Sequence, residues 1–576
     1  MNSRDDPPAA DPSAEARPAR GPVGALAVFA ERRTAVMLAL GFAAGLPNLL
    51  IFDTLSAWLR DSGLSLETIS FFSLATLSYS FKFLWAPLVD RTTVPVLTKW
   101  LGHRRSWMFI AQIAIVVGLL CIASSDPKTN LGLVAVFAVL TGFSSATQDI
   151  VVDAWRIEST ELTKQGAMAA AYQWGYRIAI IVAGAVPLIL ADTYGWNISY
   201  GLMAILMGIG FLAVLLAPKE RAHAIRPIPM NGARSAPIME ALEWIGRLLL
   251  VLLGALLLGS GLSANFHLIA NVSEALNLTG ITAALLAQPA NAWLQLSSVL
   301  MGLAIIVIAA WPVPKIRTRP GLYLSHALGD PLADFFGRFG KTAALILALI
   351  CLYRLSDFVL NIMTPFYLDL GFTKTQIAEV RKVFGVAMSM LGVFAGGWSV
   401  ARLGIIRSMV IGAFALPIAN TIFAWLATQG PDLNSLFVSI GIDNVVSGYA
   451  GTCLIAYMSS LTSAGFTATQ YALFSSLYSL PGKLIASQSG RIVENAAAAS
   501  QEHGPLSFLQ GLFVHTPPQA FADAMQKSHV APAALGAGYF VFFVYAGAVG
   551  IASIILAILV ARRSRTSPSV APTPNA

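Results

Sequence analysis

Charged residues are scarce in this sequence, since only 11% of its 576 residues are Asp, Glu, Lys or Arg. Soluble domains carry about a quarter charged residues, so this shortage excludes an ordinary soluble protein. Hydrophobic residues make up 56% of the chain, and its 47 glycines are suited to helices that pack closely within a bilayer. The composition therefore predicts an all-α polytopic membrane protein.

Cysteine and histidine are also sparse. Cys121, Cys351 and Cys453 all lie within apolar stretches, which indicates no disulfide framework. The seven histidines lack the spacing of metal ligands, so we expect no metal and no cofactor. No His/Cys/Asp combination suggests an enzyme, and the cytoplasmic segments are too short for the signalling domain of a sensor. The net charge of +8 is explained by basic loops and not by a nucleic-acid partner.

Fourteen apolar stretches are long enough to cross a bilayer as helices. Twelve form two sets of six, and the other two are inserted between the sets. The predicted spans are 35–58, 66–89, 106–124, 131–153, 167–191 and 198–217, then 245–270 and 290–314, then 342–367, 374–400, 406–428, 433–460, 467–492 and 536–561. We expect the inserted pair to pack at the periphery.

Basic residues determine the predicted orientation, because Lys and Arg concentrate in cytoplasmic loops. They collect in alternate connections and near both ends of the chain, so both termini are predicted to be cytoplasmic. The predicted organisation is a disordered tail at 1–34, a six-helix bundle at 35–220, a linker with two extra helices at 221–335, a second six-helix bundle at 336–562 and a tail at 563–576. The tail at 1–34 does not resemble a cleaved signal peptide.

The two six-helix sets repeat one another. The stretch Gly102-His103-Arg104-Arg105 precedes the third helix of the first set, and Arg402-Leu403-Gly404-Ile405-Ile406-Arg407 occupies the same place in the second. Two such halves joined by a basic segment are typical of a transporter that rocks about a central site. The pattern predicts a major facilitator fold with twelve core helices and two inserted ones.

Ionisable residues within the fourth predicted helix mark a functional face. Asp149 and Asp153 are four residues apart and therefore share one side of that helix. A carboxylate in hydrocarbon costs several kcal/mol unless it faces protein, water or a cation, so this side is predicted to face away from lipid. Alternatively, both carboxylates lie at the cytoplasmic interface and accept hydrogen bonds from a neighbouring loop. Lys82 of the second helix could pair directly with Asp149.

Several stretches resemble the AmpG muropeptide permeases of the major facilitator superfamily. They are Gly41–Pro47, Ser78–Arg91, Ser145–Trp155, Gly175–Arg177 and Phe466–Leu473. The resemblance implies proton-coupled import of N-acetylglucosaminyl-1,6-anhydro-N-acetylmuramyl peptides from periplasm to cytoplasm through the bacterial inner membrane. It further implies a role in cell-wall recycling and in β-lactamase induction. Typical members carry their extra helices after the twelfth, and the long 495–533 segment is also unusual.

A bulky anionic substrate of this kind requires buried cations, amides and aromatic surfaces. The candidate substrate-binding residues are Arg177, Lys82, Gln148, Tyr176 and Arg354. Alternatively, each cation pairs with a protein carboxylate and serves packing, as Arg354 and Asp357 could do three residues apart. Another bulky anion, such as an acyl-coenzyme A or an oligopeptide, would suit the same residues.

Proton coupling requires a carboxyl group that is protonated in one conformation and ionised in the other. Asp149 is the preferred candidate because it lies in the matched stretch, and Asp53, Asp357 and Asp443 are the alternatives. The protein is expected to act as a monomer in the bilayer.

Basic loops of the superfamily act as cytoplasmic gates, and this chain has similar loops. The candidate gating residues are Asp90, Arg91, Arg104, Arg105, Asp153, Arg402 and Arg407. The alternative is that these loops are solvated and serve only to orient the protein.

Overall fold

The computed structural model is a bundle of α-helices. It describes residues 30–63, 82–218, 237–263, 292–311, 318–373, 379–486, 489–502, 504–522 and 529–566, with a few isolated residues between these ranges. Most of the predicted span 66–89 lies outside the described residues, as do most of the tail 1–34 and of the tail 563–576.

Long apolar helices dominate the described residues. Eleven helical segments there are long and apolar enough to cross a membrane, and a shorter apolar helix covers Trp293–Ala309. This confirms a polytopic helical membrane protein. The total of fourteen spans is consistent with these segments and stays a prediction.

The first half contains the helices that surround Asp149. They are α1 (Arg32–Ile51), α2 (Asp53–Asp61), α3 (Ala86–Arg91), α4 (Leu97–Leu101), α5 (His103–Ala123), α6 (Leu131–Ser159), α7 (Gln165–Tyr194), α8 (Trp196–Leu206) and α9 (Gly208–Leu216). Helix α7 packs along α1, where a Cβ atom on Gly175 would lie 1.9 Å from the Leu38 carbonyl oxygen. Glycine is therefore required at this crossing, because any side chain would displace the backbone of α1.

The linker contributes two apolar helices and one amphipathic helix. They are α10 (Pro237–Ser263), α11 (Ala292–Ala310) and α12 (Arg319–Phe339). Helices α10 and α11 pack against each other and, through Leu258 and Val299, against Phe83–Trp85 of the first half. Helix α10 also contacts the second half, so the inserted pair lies at the outer edge of the junction between the halves.

The second half repeats the arrangement of the first. Its helices are α13 (Ala343–Leu352), α14 (Leu355–Val359), α15 (Met363–Asp369), α16 (Gly385–Leu403), α17 (Ile405–Gln429), α18 (Leu433–Ser460), α19 (Thr467–Ala486), α20 (Ser489–Ala499), α21 (Pro532–Val549) and α22 (Ile551–Thr566). Gly102 and Gly404 precede α5 and α17 with φ values of 96° and 85°, so both halves use the same left-handed turn.

Several predicted spans differ in detail from the observed helices. The predicted span 342–367 consists of three short helices, with Arg354 in the gap between α13 and α14. The first span breaks at Phe52, immediately before Asp53. Helix α6 continues to Ser159, past its predicted end at 153. Breaks in apolar helices leave backbone groups to be satisfied locally, and they commonly line cavities.

The unusual 495–533 segment packs over one end of the second half. Within its described residues, the Phe521 N–H donates to the Asp369 carbonyl oxygen at 2.7 Å. The Tyr539 hydroxyl in α21 donates to the carboxylate of the same residue at 2.7 Å. These contacts join the segment to the end of α15 and build it into the large apolar core around Phe366 and Phe543.

The two halves meet mainly where α7 packs on α16 and α18 and where α19 packs on α3 and α6. At the contact of α7 with α16, a Cβ on Gly166 would lie 2.6 Å from the Val400 Cβ. Many of the contacts between the halves lie toward the end of the bundle that carries Arg91, Arg104 and Lys164, which we call the basic face. This tight packing closes the bundle at the basic face.

Candidate transport site and gate

Asp149 lies on the inner side of α6 in a largely uncharged pocket. Its carboxylate is buried, and its Oδ1 atom has no hydrogen-bond partner among the described residues. Tyr79, Tyr172 and Tyr176 lie close enough to interact with it electrostatically. A buried carboxylate with an unpartnered oxygen is stable as the neutral acid and costly as the anion. The position therefore suits a group that exchanges a proton.

Polar groups next to Asp149 are only partly satisfied. The Gln148 amide is fully buried, and neither its nitrogen nor its oxygen has a partner among the described residues. The Tyr79 hydroxyl donates to Ser145 Oγ at 2.8 Å, and the Asn48 amide donates to the Tyr176 hydroxyl at 2.8 Å. Unpaired buried amides are costly, so Gln148 offers a donor and an acceptor to a ligand.

Lys82 forms its ion pair with Asp153, whereas the sequence suggested a pair with Asp149. Its Nζ atom is 4.0 Å from Asp153 Oδ2, and Asp149 lies within its electrostatic range without forming an ion pair. Asp153 also accepts from Arg156 Nη2 at 3.2 Å. Because Asp153 lies one turn nearer the basic face, two cations neutralise it while Asp149 is left with a weaker counter-charge.

Arg156 connects this cluster to the second half. Its Nη1 donates to Ser459 Oγ at 2.9 Å, and its guanidinium lies 5.2 Å from the centre of the Tyr471 ring. The guanidinium is fully buried. Asp153 therefore holds a cation that bridges the halves, which agrees with a gating role more closely than with a solvated loop.

Two arginines from opposite halves lie within electrostatic range of each other. No hydrogen bond or ion pair joins Arg177 of α7 to any of the described residues, and Arg354 acts on it electrostatically. Arg354 is held by Asp357 Oδ2 at 2.7 Å and donates to Ser447 Oγ at 2.7 Å. The local pairing of Arg354 and Asp357 thus occurs, whereas Arg177 keeps its full hydrogen-bonding capacity for a ligand. Like charges brought together in this way attract an anion.

The second half contains a further cation that sequence reasoning missed. Arg381 lies in a π-helix, Glu379–Phe384, and donates to Thr364 Oγ1 at 2.7 Å. Its guanidinium is exposed, lies 5.7 Å from the centre of the Tyr367 ring and interacts electrostatically with half-buried Asp443. The adjacent basic residues Arg381 and Lys382, early in the predicted span 374–400, were the available signal. π-Helices are frequent at functional sites.

The remaining carboxylate candidates differ in environment. Asp357 is engaged by Arg354 and Ser447, with the Ser447 hydroxyl 3.1 Å from Oδ2. Asp53 is exposed after the break in the first span. Of the four candidates, Asp149 alone is buried, has an oxygen without a hydrogen-bond partner among the described residues and forms no ion pair with them.

Asp90 caps a helix of the opposite half. Its carboxylate accepts from the Ala468 N–H at 3.2 Å, from the Thr469 N–H at 2.8 Å and from the Thr469 hydroxyl at 2.6 Å. These groups belong to the first turn of α19, where unpaired N–H groups and the helix dipole favour an anion. This contact joins the first half to the second at the basic face.

Arg104 holds Asp90 in place. Arg104 is fully buried and donates from Nη2 to Asp90 Oδ1 at 2.7 Å. Glu158, which the sequence did not single out, accepts from the same Nη2 at 2.7 Å and from Nε at 3.0 Å. Glu158 is within reach because α6 runs past the predicted end of its span. The buried Arg104 cation thus holds two carboxylates, Asp90 and Glu158, in a fixed arrangement.

The other predicted gating residues make unequal contacts. Arg91 donates to the His326 carbonyl at 2.9 Å and pairs with Asp330 at 3.2 Å. Arg105 donates to the Ala217 carbonyl at 2.6 Å, within the first half. Arg402 is exposed and stacks on the Trp398 ring at 5.3 Å. Arg407 is exposed as well, and neither of the two forms an ion pair with a residue that the structure describes. Among the predicted gating residues, those of the first-half loop therefore make most of the contacts at the basic face.

Comparison with known proteins agrees with this architecture. The family model described as Major Facilitator Superfamily matches residues 80–321. The proton:xylose symporter XylE bound to 6-bromo-6-deoxy-D-glucose has a similar fold, with a TM-score of 0.50 and 10% identity over 93% of this chain and 95% of that one. At this identity the likeness shows the fold alone, which confirms the predicted major facilitator architecture.

Sequence relatives give a narrower assignment. The chain is 30% identical over 472 residues to the anhydromuropeptide permease of Escherichia coli K12, which covers 81% of this chain and 76% of that protein. It is 27% identical over 469 residues to a Rickettsia felis protein whose name carries the AmpG label, over 81% of this chain and 91% of that protein. These relatives confirm the prediction of a transporter and not an enzyme. The chain belongs to the AmpG, or anhydromuropeptide permease, family of the major facilitator superfamily.

Proposed function

We propose that this protein imports anhydromuropeptides, the N-acetylglucosaminyl-1,6-anhydro-N-acetylmuramyl peptides, through the bacterial inner membrane with protons, for cell-wall recycling. The proposal rests on family membership and above all on Arg177. The Arg177 guanidinium is half-buried and has no hydrogen bond or ion pair to any described residue, so a peptide carboxylate can bind it through two hydrogen bonds.

In this proposal the basic face is the cytoplasmic face. The density of Lys and Arg there supports this orientation, since cytoplasmic loops carry the positive excess. The halves are joined at that face by Asp90 with Thr469 and by Arg156 with Ser459. The described conformation is then closed toward the cytoplasm, and substrate would enter from the periplasm.

Three arginines would receive the substrate. Exposed Arg381 would meet a carboxylate first, and Arg177 and Arg354 would then hold anionic groups between the halves. The Gln148 amide and the Tyr176 hydroxyl would bind polar groups of the sugars. Like-charged Arg177 and Arg354 lie close together only at an electrostatic cost, so an anion between them stabilises the closed halves and couples binding to rocking.

Asp149 would carry the proton. It is buried, its Oδ1 atom has no hydrogen-bond partner among the described residues, and Lys82, which acts on it electrostatically, pairs with Asp153 instead. Rocking that moves Lys82 between Asp153 and Asp149 would switch Asp149 between the neutral acid and the anion. Asp53, Asp357 and Asp443 are the alternative carriers.

Uptake into proteoliposomes tests the substrate. Purified protein is reconstituted, an acid-outside pH gradient is imposed, and radiolabelled anhydromuropeptide, an acyl-coenzyme A or an unmodified oligopeptide is supplied. We expect accumulation of the anhydromuropeptide alone, and loss of accumulation when the gradient is collapsed. Uptake of another anion in its place would overturn the substrate assignment, and gradient-independent uptake would overturn proton coupling.

A matched set of Asp→Asn variants tests the carrier. Asp149→Asn should abolish pH-driven accumulation but leave exchange of substrate between the two sides of the membrane, because exchange needs no net proton movement. Asp53→Asn and Asp443→Asn, made in parallel, should keep accumulation. If Asp149→Asn accumulates substrate normally and one of the others does not, the proton site moves to that residue.

A further inference from the structure

The amphipathic helix α12 packs against both halves at the basic face. Its apolar side buries Phe335 and Phe339 in one cluster with Ile157 of the first half and Phe474 of the second. The Phe335 and Phe474 rings are 5.2 Å apart between centres. A linker that served only as a spacer would not need to bury aromatic residues in both halves.

Polar contacts join α12 to the second half. Asp334 accepts from the Ser463 hydroxyl at 2.8 Å and from the Gln470 amide at 3.0 Å. Gln470 also donates to the Pro331 carbonyl at 2.9 Å, and Arg338 donates to the Leu461 carbonyl at 2.9 Å. Only the short turn Gly340–Thr342 separates α12 from α13. Helix α12 is therefore joined to the second half both by these hydrogen bonds and by the short chain connection to α13.

Fewer polar contacts join α12 to the first half. Arg91 donates to the His326 carbonyl at 2.9 Å and pairs with Asp330 at 3.2 Å. The Arg91 side chain is 5% exposed, whereas that of Asp330 is 38% exposed. This single ion pair with an exposed carboxylate is weaker than the partly buried network of several hydrogen bonds around Asp334, so it is the contact that separates more easily.

The inserted helices hold the start of α12. The Thr318 hydroxyl, which caps α12, donates to Glu243 of α10 at 2.7 Å. Glu243 is in turn paired with Arg247 at 2.7 Å, and Arg319 lies 3.8 Å from Glu240. The pair α10 and α11 packs on Phe83–Trp85 of the first half. The start of α12 is therefore held through the first half, whereas its end is held by the second half.

We propose that α12 is a brace that keeps the basic face closed and travels with the second half when that face opens. This goes beyond the proposed function and depends only on alternating access. When the halves separate, one helix cannot keep its contacts with both. The hydrogen bonds at Asp334, Gln470 and Arg338 are retained, the contact of Asp330 with Arg91 breaks, and Ile157 leaves the apolar cluster that it shares with Phe335. The interaction with the inserted pair would set how readily this happens.

Two reversible cross-links test the brace in the full-length protein, after replacement of the native cysteines. One variant carries Arg91→Cys with Asp330→Cys and is joined by a short bifunctional thiol reagent that a reductant can cleave. The control carries Asp334→Cys with Ser463→Cys and is joined in the same way. Each variant is compared with itself before and after reduction, so the effect of the substitutions themselves cancels.

We expect cross-linking of residues 91 and 330 to reduce uptake at least tenfold and reduction to restore it. Cross-linking of residues 334 and 463 should change uptake less than twofold, because both sites move together. Full uptake with residues 91 and 330 joined would overturn the brace, and a block by the control link would overturn its assignment to the second half.

A second measurement separates this proposal from the identity of the substrate. Spin labels at exposed Lys99 and Lys341, one in each half, report the separation of the halves at the basic face. The link between residues 91 and 330 should remove the longer distance population, whatever solute the protein carries. If uptake of anhydromuropeptide is absent from the unlinked protein while this population responds to the link, the proposed function fails and the brace stands.

Discussion

Replacing Asp90 by Asn should open the basic face. The Asp90 carboxylate accepts four hydrogen bonds: one from Arg104 and three from Ala468 and Thr469 of the other half. Asparagine offers a single acceptor oxygen. Its NH2 group would place two N–H donors against the N–H and O–H groups that now donate to the second carboxylate oxygen. About two bonds to an ionised acceptor are lost, each worth roughly 1.5–3 kcal/mol.

Most of that loss falls on the closed state, because three of the four bonds join the halves. Some energy returns through relaxation and water, so we take about 3 kcal/mol as the net effect. At about 1.4 kcal/mol for each factor of ten, the ratio of closed to open molecules should fall by roughly a hundredfold. The Asp90→Asn protein should therefore populate the open conformation readily.

Pulsed electron paramagnetic resonance measures this ratio. Spin labels at Lys99 and Lys341 should give a short distance in the parent protein and a substantial longer population in Asp90→Asn. The matched control is Asp126→Asn, since exposed Asp126 contacts only its own loop through the Lys128 N–H at 2.9 Å. An unchanged distance distribution in a folded Asp90→Asn protein would refute the role assigned to this helix cap.

The remaining predictions concern the buried cation, the helix crossing and the substrate. Glu158→Gln should lower the free energy of unfolding by about 2–4 kcal/mol because it leaves a buried arginine short of charge, which thermal melting in detergent can measure. Gly166→Leu should abolish uptake with little change in melting, since its side chain would collide with Val400 of the other half; normal uptake would contradict the closed crossing. Arg381→Gln should raise KM for anhydromuropeptide roughly tenfold or more through loss of a charge-assisted hydrogen bond, whereas Arg402→Gln, at an exposed position, should not.

Much of the architecture could be read from the sequence. Apolar length predicts spans, and the matched stretches correctly pointed to α6 and α7 as the helices around Asp149 and Arg177. The paired glycines Gly102 and Gly404 marked the repeat, and both adopt the same positive φ. These features are local, because they depend on runs of residues or on one backbone conformation, so no knowledge of distant neighbours is needed.

The details of the site could not be read in the same way. Glu158 was placed in a loop because the span was predicted to end at 153, and Arg381 lies in a short charged stretch of the predicted span 374–400 that hydropathy did not single out. The sequence allowed Lys82 to pair with Asp149, yet its partner is Asp153 one turn away. A difference of one helical turn depends on how two helices are positioned along each other, and hydropathy contains no information about that.

The sequence by itself determined that this chain is a membrane transporter of two similar helical halves, because burying apolar runs in a bilayer leaves few alternatives to helices. Only the tertiary structure decided which charges neutralise one another and which are left for a ligand. Asp90 meets α19 across 378 residues of chain, and α12 reaches both halves. Contacts between residues so far apart depend on the packing of whole helices, and a list of residues does not specify that packing.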